Sequence, residues 1–160
     1  MISDKTPTVL AISGSLRSLS FTEKMLDSLL EGMGEVEVHK FYPHKMNIKP
    51  CTSCWTCWLG KNKGECSQKD DFQSIYDVYK KCDYFIIAAP VYVFGFPATV
   101  KNVIDRLFVN MESSQILMDN GLTNYPQRYT PKAKGILVSS CGFPDMENFT
   151  LISESILRSL

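Results

Sequence analysis

The chain has 160 residues, 44% of them hydrophobic and 21% charged, which suits one domain with a sizeable core. Lysine plus arginine equals aspartate plus glutamate at 17 each, so charge argues against nucleic acid or an anionic membrane as partner. No apolar run reaches the length of a membrane span, and the start "MISDKTPT" lacks a signal peptide's basic and apolar regions; the expected compartment is the cytoplasm.

In chain order, Thr8 to Ile12 reads as a buried strand, short, apolar and β-branched. A helix follows from Thr22, with Met25, Leu26, Leu29, Leu30 and Met33 on one face and Gly32 and Gly34 as its stop. Glu35 to Phe41 alternates at period two and predicts a second strand with one wetter face. Pro43 to Lys69 is loop-like and holds four of the six cysteines. Asp70 and Asp71 suit a helix N-terminus, and Phe72, Ile75, Tyr76 and Tyr79 form that helix's apolar stripe. Tyr84 to Ala89 is the strongest strand, "PVYVFGFP" a loop, and Ala98 to Leu107 a helix carrying Val100, Val103, Ile104 and Leu107 inward. Asn110 to Pro131 is polar and poorly patterned; "KGILVSS" is a fourth strand and Phe149 to Leu160 a last helix.

Strands and helices alternate, and strands one, three and four are continuous apolar runs. That pattern predicts a parallel sheet buried on both faces by helices. In such sheets, ligands bind beyond the carboxyl ends of the strands, so the loops there belong together. The first, "SGSLRSLSFT", concentrates Ser13, Ser15, Arg17, Ser18, Ser20 and Thr22 ahead of a helix N-terminus. Unpaired N–H groups, hydroxyls and a guanidinium suit phosphate oxygens; the plainer reading is a turn with a capping box on Ser20 or Thr22. Neither GxxxxGK[ST] nor GxGxxG is present. The second loop, after Pro90, sets apolar and aromatic residues where a solvated loop is expected. Gly95 there is expected to allow a close backbone approach, and Pro97 to start the next helix. That surface suits a flat, mostly apolar ring, or packing on the core or a second subunit. The third loop, "SSCGFPDMENF", again offers small donors and then an aromatic.

Taken together, "GSLRSLSFT", "APVYVFGFPATVKNVIDR" and "CTSCWTCW…GECSQKDDF" resemble the flavodoxin-like NADPH-dependent FMN reductase superfamily, nearest its iron–sulfur flavoproteins and their cysteine-bearing relatives. The resemblance implies a doubly wound three-layer α/β/α domain over residues 1–160, with strand order 2-1-3-4 and a fifth strand missing. It implies an FMN phosphate site at Ser15, Arg17, Ser20, Phe21 and Thr22, with Ser13 also counted among the cofactor-binding residues. The ring is expected on Pro90, Val91, Tyr92, Val93, Phe94 and Gly95, with Ser140, Cys141, Gly142 and Phe143 closing the third side. Where many relatives carry Gly-Asn before the threonine, this chain has Ser20-Phe21; the serine hydroxyl can still donate, but Phe21 cannot replace an asparagine side chain. Flavin chemistry needs no acid–base dyad, and His39 and His44 read as surface or packing residues.

Cys51, Cys54 and Cys57 follow C-x2-C-x2-C, with Cys66 as a fourth thiol. Such spacing can curl around an iron–sulfur cube, a [4Fe–4S] cluster. The interval to Cys66 is longer than usual in iron–sulfur flavoproteins, and zinc prefers two separated pairs. The remaining reading is four reduced thiols in a loop beside the flavin, with Trp55 and Trp58 as an apolar lid. Cys82 reads as core, and Cys141 lies near the ring or packs.

Three functions follow as expectations. The first is an FMN-dependent NAD(P)H oxidoreductase passing electrons to a small-molecule or protein acceptor. The second is an iron–sulfur flavoprotein carrying electrons through a cysteine-ligated cluster, and the third a redox-sensing flavin module. With four strands found, the chain reads either as C-terminally truncated or as having its fourth strand covered by something else. An uncovered edge favours a homo-oligomer, and Asn110 to Pro131 could serve that interface or cover the flavin.

Overall fold

Thr8–Ser13 forms strand β1, buried along its whole length. Helix α1, Phe21–Gly32, follows it, then β2, Glu37–Phe41. The structure, a computed structural model, describes residues 5–61, 63–119, 121–129 and 133–159. Leu160, the expected end of the last helix, and residues 1–4 of the N-terminal reading lie outside the described residues. A short helix α2, Thr56–Leu59, interrupts the cysteine loop and precedes α3, Phe72–Tyr79. Strand β3, Tyr84–Pro90, leads to α4, Ala98–Arg106. A small hairpin, β4 (Ile116–Leu117) with β5 (Thr123–Asn124), comes before β6, Lys134–Ser140, and α5, Thr150–Ser159.

Four strands pair in parallel in the order β2-β1-β3-β6, the order expected from the sequence. Side chains alternate between faces at period two. Leu10, Ile12, Phe85, Ile87 and Ala89 meet α3, α4 and Ile156 of α5 on one face. Val9, Ala11, Ile86 and Ala88 meet α1 through Leu26 on the other. These are the three layers of the flavodoxin-like architecture. Burying a Leu, Ile or Phe side chain contributes about 1.5–3 kcal/mol, and the first face holds most such side chains. Ile136 and Val138 of β6 are only half-buried beside α1. Among the described residues β6 pairs with β3 alone.

Most elements fall where periodicity puts them. Gly34 takes the left-handed conformation (φ +74°) just past α1, as a helix stop requires. Asp70 accepts a hydrogen bond from the Phe72 N–H at the start of α3, whereas Asp71 instead holds the Asn47 N–H at 2.7 Å. Helix α2 and the hairpin were not foreseen. Both are too short for a periodic signal and are held by aromatic contact: Trp58 of α2 stacks on Phe108 at 4.4 Å and tilts against Tyr125 at 4.9 Å. Residues 120, 130 and 131 of the polar segment lie outside the described residues. Among the described residues no helix is long and apolar enough to cross a membrane.

Candidate functional site

The loops after β1, β3 and β6 meet at one end of the sheet. At the first, Gly14 donates to the Ala88 carbonyl at 2.7 Å as it passes between β3 and α4. A Cβ on Gly14 would sit 2.4 Å from Val100 Cγ2, so only glycine lets the chain through. Ser15 is buried, and its hydroxyl exchanges hydrogen bonds with the Arg17 backbone at 3.3 Å. Leu19 is held left-handed (φ +58°) immediately before Ser20, the N-cap of α1. Ser20 Oγ accepts from the Glu23 N–H at 3.1 Å, the cap expected from sequence.

Glu23 braces this loop at both ends. Its carboxylate accepts from the Ser13 hydroxyl, from Tyr42 at 3.0 Å and from Lys40 at 2.5 Å. Burial opposes its ionisation, but the hydrogen bonds from Lys40, Ser13 and Tyr42 win and hold the carboxyl below its usual range. Lys40 is pushed the other way: burial pulls it down, and Asp27 and Glu23 more than offset that.

The second loop turns sharply. Tyr92 and Gly95 exchange backbone hydrogen bonds at 2.9 and 3.0 Å, with Val93 and Phe94 between them both left-handed at φ +49° and +61°. A β-branched residue there is strained, and the turn holds Val93 95% exposed. Gly95 itself is not left-handed, and a Cβ on it would meet nothing closer than 3.7 Å. Within the protein, the close backbone approach is at Gly14. The third loop is tied to the others by Val91 N–H on the Ser140 carbonyl, 2.9 Å, and by Thr22 Oγ1 to Ser140 Oγ, 2.6 Å.

An open cavity of about 640 Å³ lies among them. Of the expected cofactor-binding residues, Ser15, Arg17, Ser20, Phe21, Thr22, Pro90, Val91, Tyr92, Ser140, Cys141 and Gly142 line it. Ser13 does not, because its hydroxyl is committed to Glu23. Val93, Phe94, Gly95 and Phe143 stand outside the lining; Val93, Phe94 and Phe143 are exposed, as are Leu19 and Phe21 of the lining itself. Ser18 and Leu19 line the cavity too; Ser18 was counted as a donor in the sequence, but Leu19 had no signal. Among the described residues the Arg17 guanidinium has no ion-pair partner. His39 pairs with Glu37 at 2.9 Å, and His44 lies in a short turn near Tyr42, both away from this cavity.

Cys51, Cys54, Cys57 and Cys66 line a second cavity of about 320 Å³, with Trp55, Arg106, Phe108 and Val109 in its wall. It shares no lining residue with the first. The thiols occupy different surroundings. Cys57 and Cys66 pack against the main core, while Cys54 is exposed, its sulfur 3.3 Å from both Ser67 Oγ and Thr56 Oγ1. Hydrogen bonds from Ser67 and then Thr56 bring the Cys54 thiol down to about 6, whereas burial pushes Cys57 up. Among the described residues no three Cys, His, Asp or Glu side chains are grouped to hold a metal ion. Trp58 is buried, and Trp55 lies half-exposed across it and Phe108. Cys82 is core, donating to the Tyr79 carbonyl.

Beneath this cavity a buried ion pair went unseen in the sequence. Arg106 Nη1 and Nη2 meet Asp70 at 2.8 and 3.1 Å, and Nη1 also donates to the Lys49 carbonyl at 2.9 Å. Both side chains are 1% exposed. Burial works against both charges, yet the mutual hydrogen bonds hold Asp70 low and Arg106 high.

The family model described as NADPH-dependent FMN reductase matches residues 7–123. The chain belongs to this family. As an FMN reductase family member, it is 37% identical over 98 residues to an iron–sulfur flavoprotein of Archaeoglobus fulgidus, covering 60% of this chain and 43% of that one. It is 32% identical over 100 residues to an iron–sulfur flavoprotein of Methanosarcina thermophila, covering 61% of this chain and 51% of that one. The chain thus spans about half the length of these curated relatives. A Bacillus subtilis protein named as an NAD(P)H-dependent FMN-containing oxidoreductase is 25% identical over 146 residues, 91% of this chain and 74% of that one. Among solved structures, an azoreductase of Bacillus anthracis superposes with a TM-score of 0.67 at 12% identity, covering 96% of this chain and 80% of that one. The NAD(P)H:quinone oxidoreductase of Methanothermobacter marburgensis gives 0.64 at 16%, covering 94% and 72%. At such identities the superpositions establish the shared fold of this FMN reductase family member.

Proposed function

We propose that residues 1–160 form one FMN-binding unit of an oxidoreductase that takes hydride from NAD(P)H and passes electrons to a small-molecule acceptor. One observation carries this reading: the α1 N-terminus, the hydroxyl-rich loop and the start of the apolar turn open into a single cavity. The residues fit FMN at both its ends. Ser15, Arg17, Ser20, Thr22 and the first-turn N–H groups of α1, starting at Phe21, would hold the phosphate, with helix dipole and guanidinium supplying positive charge. Pro90, Val91 and Tyr92 would support the ring, the strained turn of Val93, Phe94 and Gly95 would border it, and Ser140, Cys141, Gly142 and Phe143 would close the third side. When bound, FMN supplies a ring that accepts hydride and passes on one or two electrons. The protein's own work is to anchor the phosphate, fix the ring's edge and leave one side open to nicotinamide and acceptor. The exposed apolar side chains of Leu19, Phe21, Val93, Phe94 and Phe143, on the loops after the strands, also suit a second copy of the chain, and a homo-oligomer is part of this proposal.

Relatives named as iron–sulfur flavoproteins raise a second reading, an electron carrier with a [4Fe–4S] cluster on Cys51, Cys54, Cys57 and Cys66. The thiols do not fit it, since two pack on the core and one projects to solvent between two hydroxyls. The test is titration of the purified chain with FMN and with riboflavin, followed by nicotinamide oxidation with a quinone as acceptor. Tight FMN binding and turnover support the proposal; a chain that refuses FMN overturns it. Iron and sulfide in stoichiometric amounts would establish the second reading.

A further inference from the structure

We propose that Lys40 is a positioning residue for the FMN phosphate: it holds the Glu23 carboxylate away from the N-terminus of α1, so that the phosphate meets no competing acid there. The inference rests on the flavin reading above and adds to it two residues that do not line the cavity.

Ser20-Phe21-Thr22-Glu23 has the S-x-x-E spacing of a capping box. In a full box the N-cap hydroxyl takes the N3 N–H, and the N3 carboxylate returns to the N-cap N–H. The first half is present: Ser20 Oγ accepts from the Glu23 N–H at 3.1 Å. The carboxylate is committed elsewhere. One oxygen accepts from the Ser13 hydroxyl, the other from Tyr42 at 3.0 Å and Lys40 at 2.5 Å. That choice matters because a carboxylate and a phosphate seek the same partners, the unpaired N–H groups and positive dipole end of a helix N-terminus. A Glu23 side chain turned into the box would stand where the phosphate is proposed to bind.

Three side chains hold Glu23, but only Lys40 offsets its charge. The Glu23 side chain is 16% exposed and that of Lys40 19%, so solvent screens the pair weakly. Lys40 pairs in register with Ala11, whose face of the sheet packs on α1, and its ammonium reaches the helix from that face. Asp27, one turn along α1, takes the same ammonium at 2.6 Å. Loss of Lys40 therefore leaves two carboxylates uncompensated on the first two turns of α1. Arg17 pairs with neither of them. The charge of Glu23 is met from β2, and the guanidinium of the hydroxyl-rich loop stays available to phosphate. Burial opposes ionisation of Glu23, but Lys40, Ser13 and Tyr42 outweigh it, so the acid is charged at neutral pH. Because Ser13 ends β1 and Glu23 lies in the first turn of α1, the carboxylate also ties together the two ends of the loop carrying Ser15 and Arg17.

The test is fluorescence titration of the full chain with FMN and with riboflavin, which lacks the phosphate, alongside a urea midpoint for each variant. Lys40→Met should weaken FMN about tenfold or more and leave riboflavin within about twofold. Lys40→Arg, which keeps the charge, should retain most of the FMN affinity. Glu23→Gln added to Lys40→Met should bring FMN back to within about threefold of wild type, because the acid that Lys40 restrains is gone. Should Lys40→Met unfold, Lys40→Gln carries the same expectation, since it keeps a donor for Glu23 and removes only the charge. Equal weakening of both flavins would make Lys40 a merely structural residue and overturn the inference. FMN loss that Glu23→Gln does not restore would overturn it too, as would Lys40→Met binding FMN like wild type. In each of these cases wild type still binds FMN and the flavin reading stands, whereas a wild type that refuses FMN overturns both.

Discussion

Thr22 Oγ1 and Ser140 Oγ lie 2.6 Å apart although 118 positions separate them in the chain. Thr22 lies in the first turn of α1 and Ser140 ends β6, so this contact joins the first and third loops of the cavity proposed for FMN. A hydroxyl–hydroxyl bond of this kind is worth about 1 kcal/mol. Thr22→Val and Ser140→Ala should each weaken FMN binding about fivefold, and the double variant should lose little more than either alone. Fluorescence titration of the three variants checks this. Fully additive losses would show that the two hydroxyls act separately.

Arg17 lines the cavity with no ion-pair partner among the described residues, and a charge-assisted contact to phosphate contributes about 1.5–3 kcal/mol. Arg17→Ala should therefore weaken FMN by about ten- to a hundredfold while leaving riboflavin within about twofold. Equal losses for both ligands would remove the phosphate from this loop.

Gly14→Ala puts a methyl group 2.4 Å from Val100 Cγ2 and 2.9 Å from Ala89 Cβ. Overpacking of this kind costs about 1–3 kcal/mol. The urea midpoint should fall, and Val100→Ala in the same chain should recover part of the loss. A midpoint unchanged by Gly14→Ala would contradict the tight passage between β3 and α4.

Asp70→Asn leaves the Arg106 guanidinium buried without its carboxylate, a loss of about 3–5 kcal/mol for a broken buried pair. The pair also makes stability depend on pH. Burial opposes the Asp70 charge, but hydrogen bonds from Arg106 and the Lys49 N–H outweigh it, so the folded carboxyl titrates below its unfolded value of about 3.9. Its contribution is complete above that value and is lost as pH falls through the folded one. Urea midpoints measured from neutral pH down to about pH 2 should fall less steeply for Asp70→Asn than for wild type. Parallel curves would show that Asp70 does not carry the acid sensitivity.

With its thiol brought down to about 6 by Ser67 and Thr56, Cys54 should react with iodoacetamide at a rate half-maximal near that pH. Ser67→Ala and Thr56→Val should move the midpoint upward. Peptide mapping of Cys54 across a pH series reads it directly; a midpoint unmoved by either variant would disconnect the hydroxyls from the thiol.

Much of this protein is legible from local pattern. Strand order, the Ser20 cap, the Gly34 stop and the gathering of the loops after the strands around one cavity follow from apolar periodicity and from the residues that follow each strand. Those signals are local, because alternation and helical spacing are set by backbone geometry within a few residues. Ser13, which the sequence places among the cofactor-binding residues, does not line the cavity; its hydroxyl donates to Glu23, which also pairs with Lys40, a long-range contact that local pattern does not carry.

What only the tertiary structure decided are contacts between residues far apart in sequence. The C-x2-C-x2-C spacing was open to metal, cluster or free thiols; packing on the core drew Cys57 and Cys66 inward and left Cys54 to Ser67 and Thr56. The left-handed backbone at Val93 and Phe94, the pairing of Asp70 with Arg106 and the division of the loop residues between two cavities have no local signature. Each depends on which side chains the folded sheet and helices bring within a few ångströms, and spacing along the chain does not encode that distance.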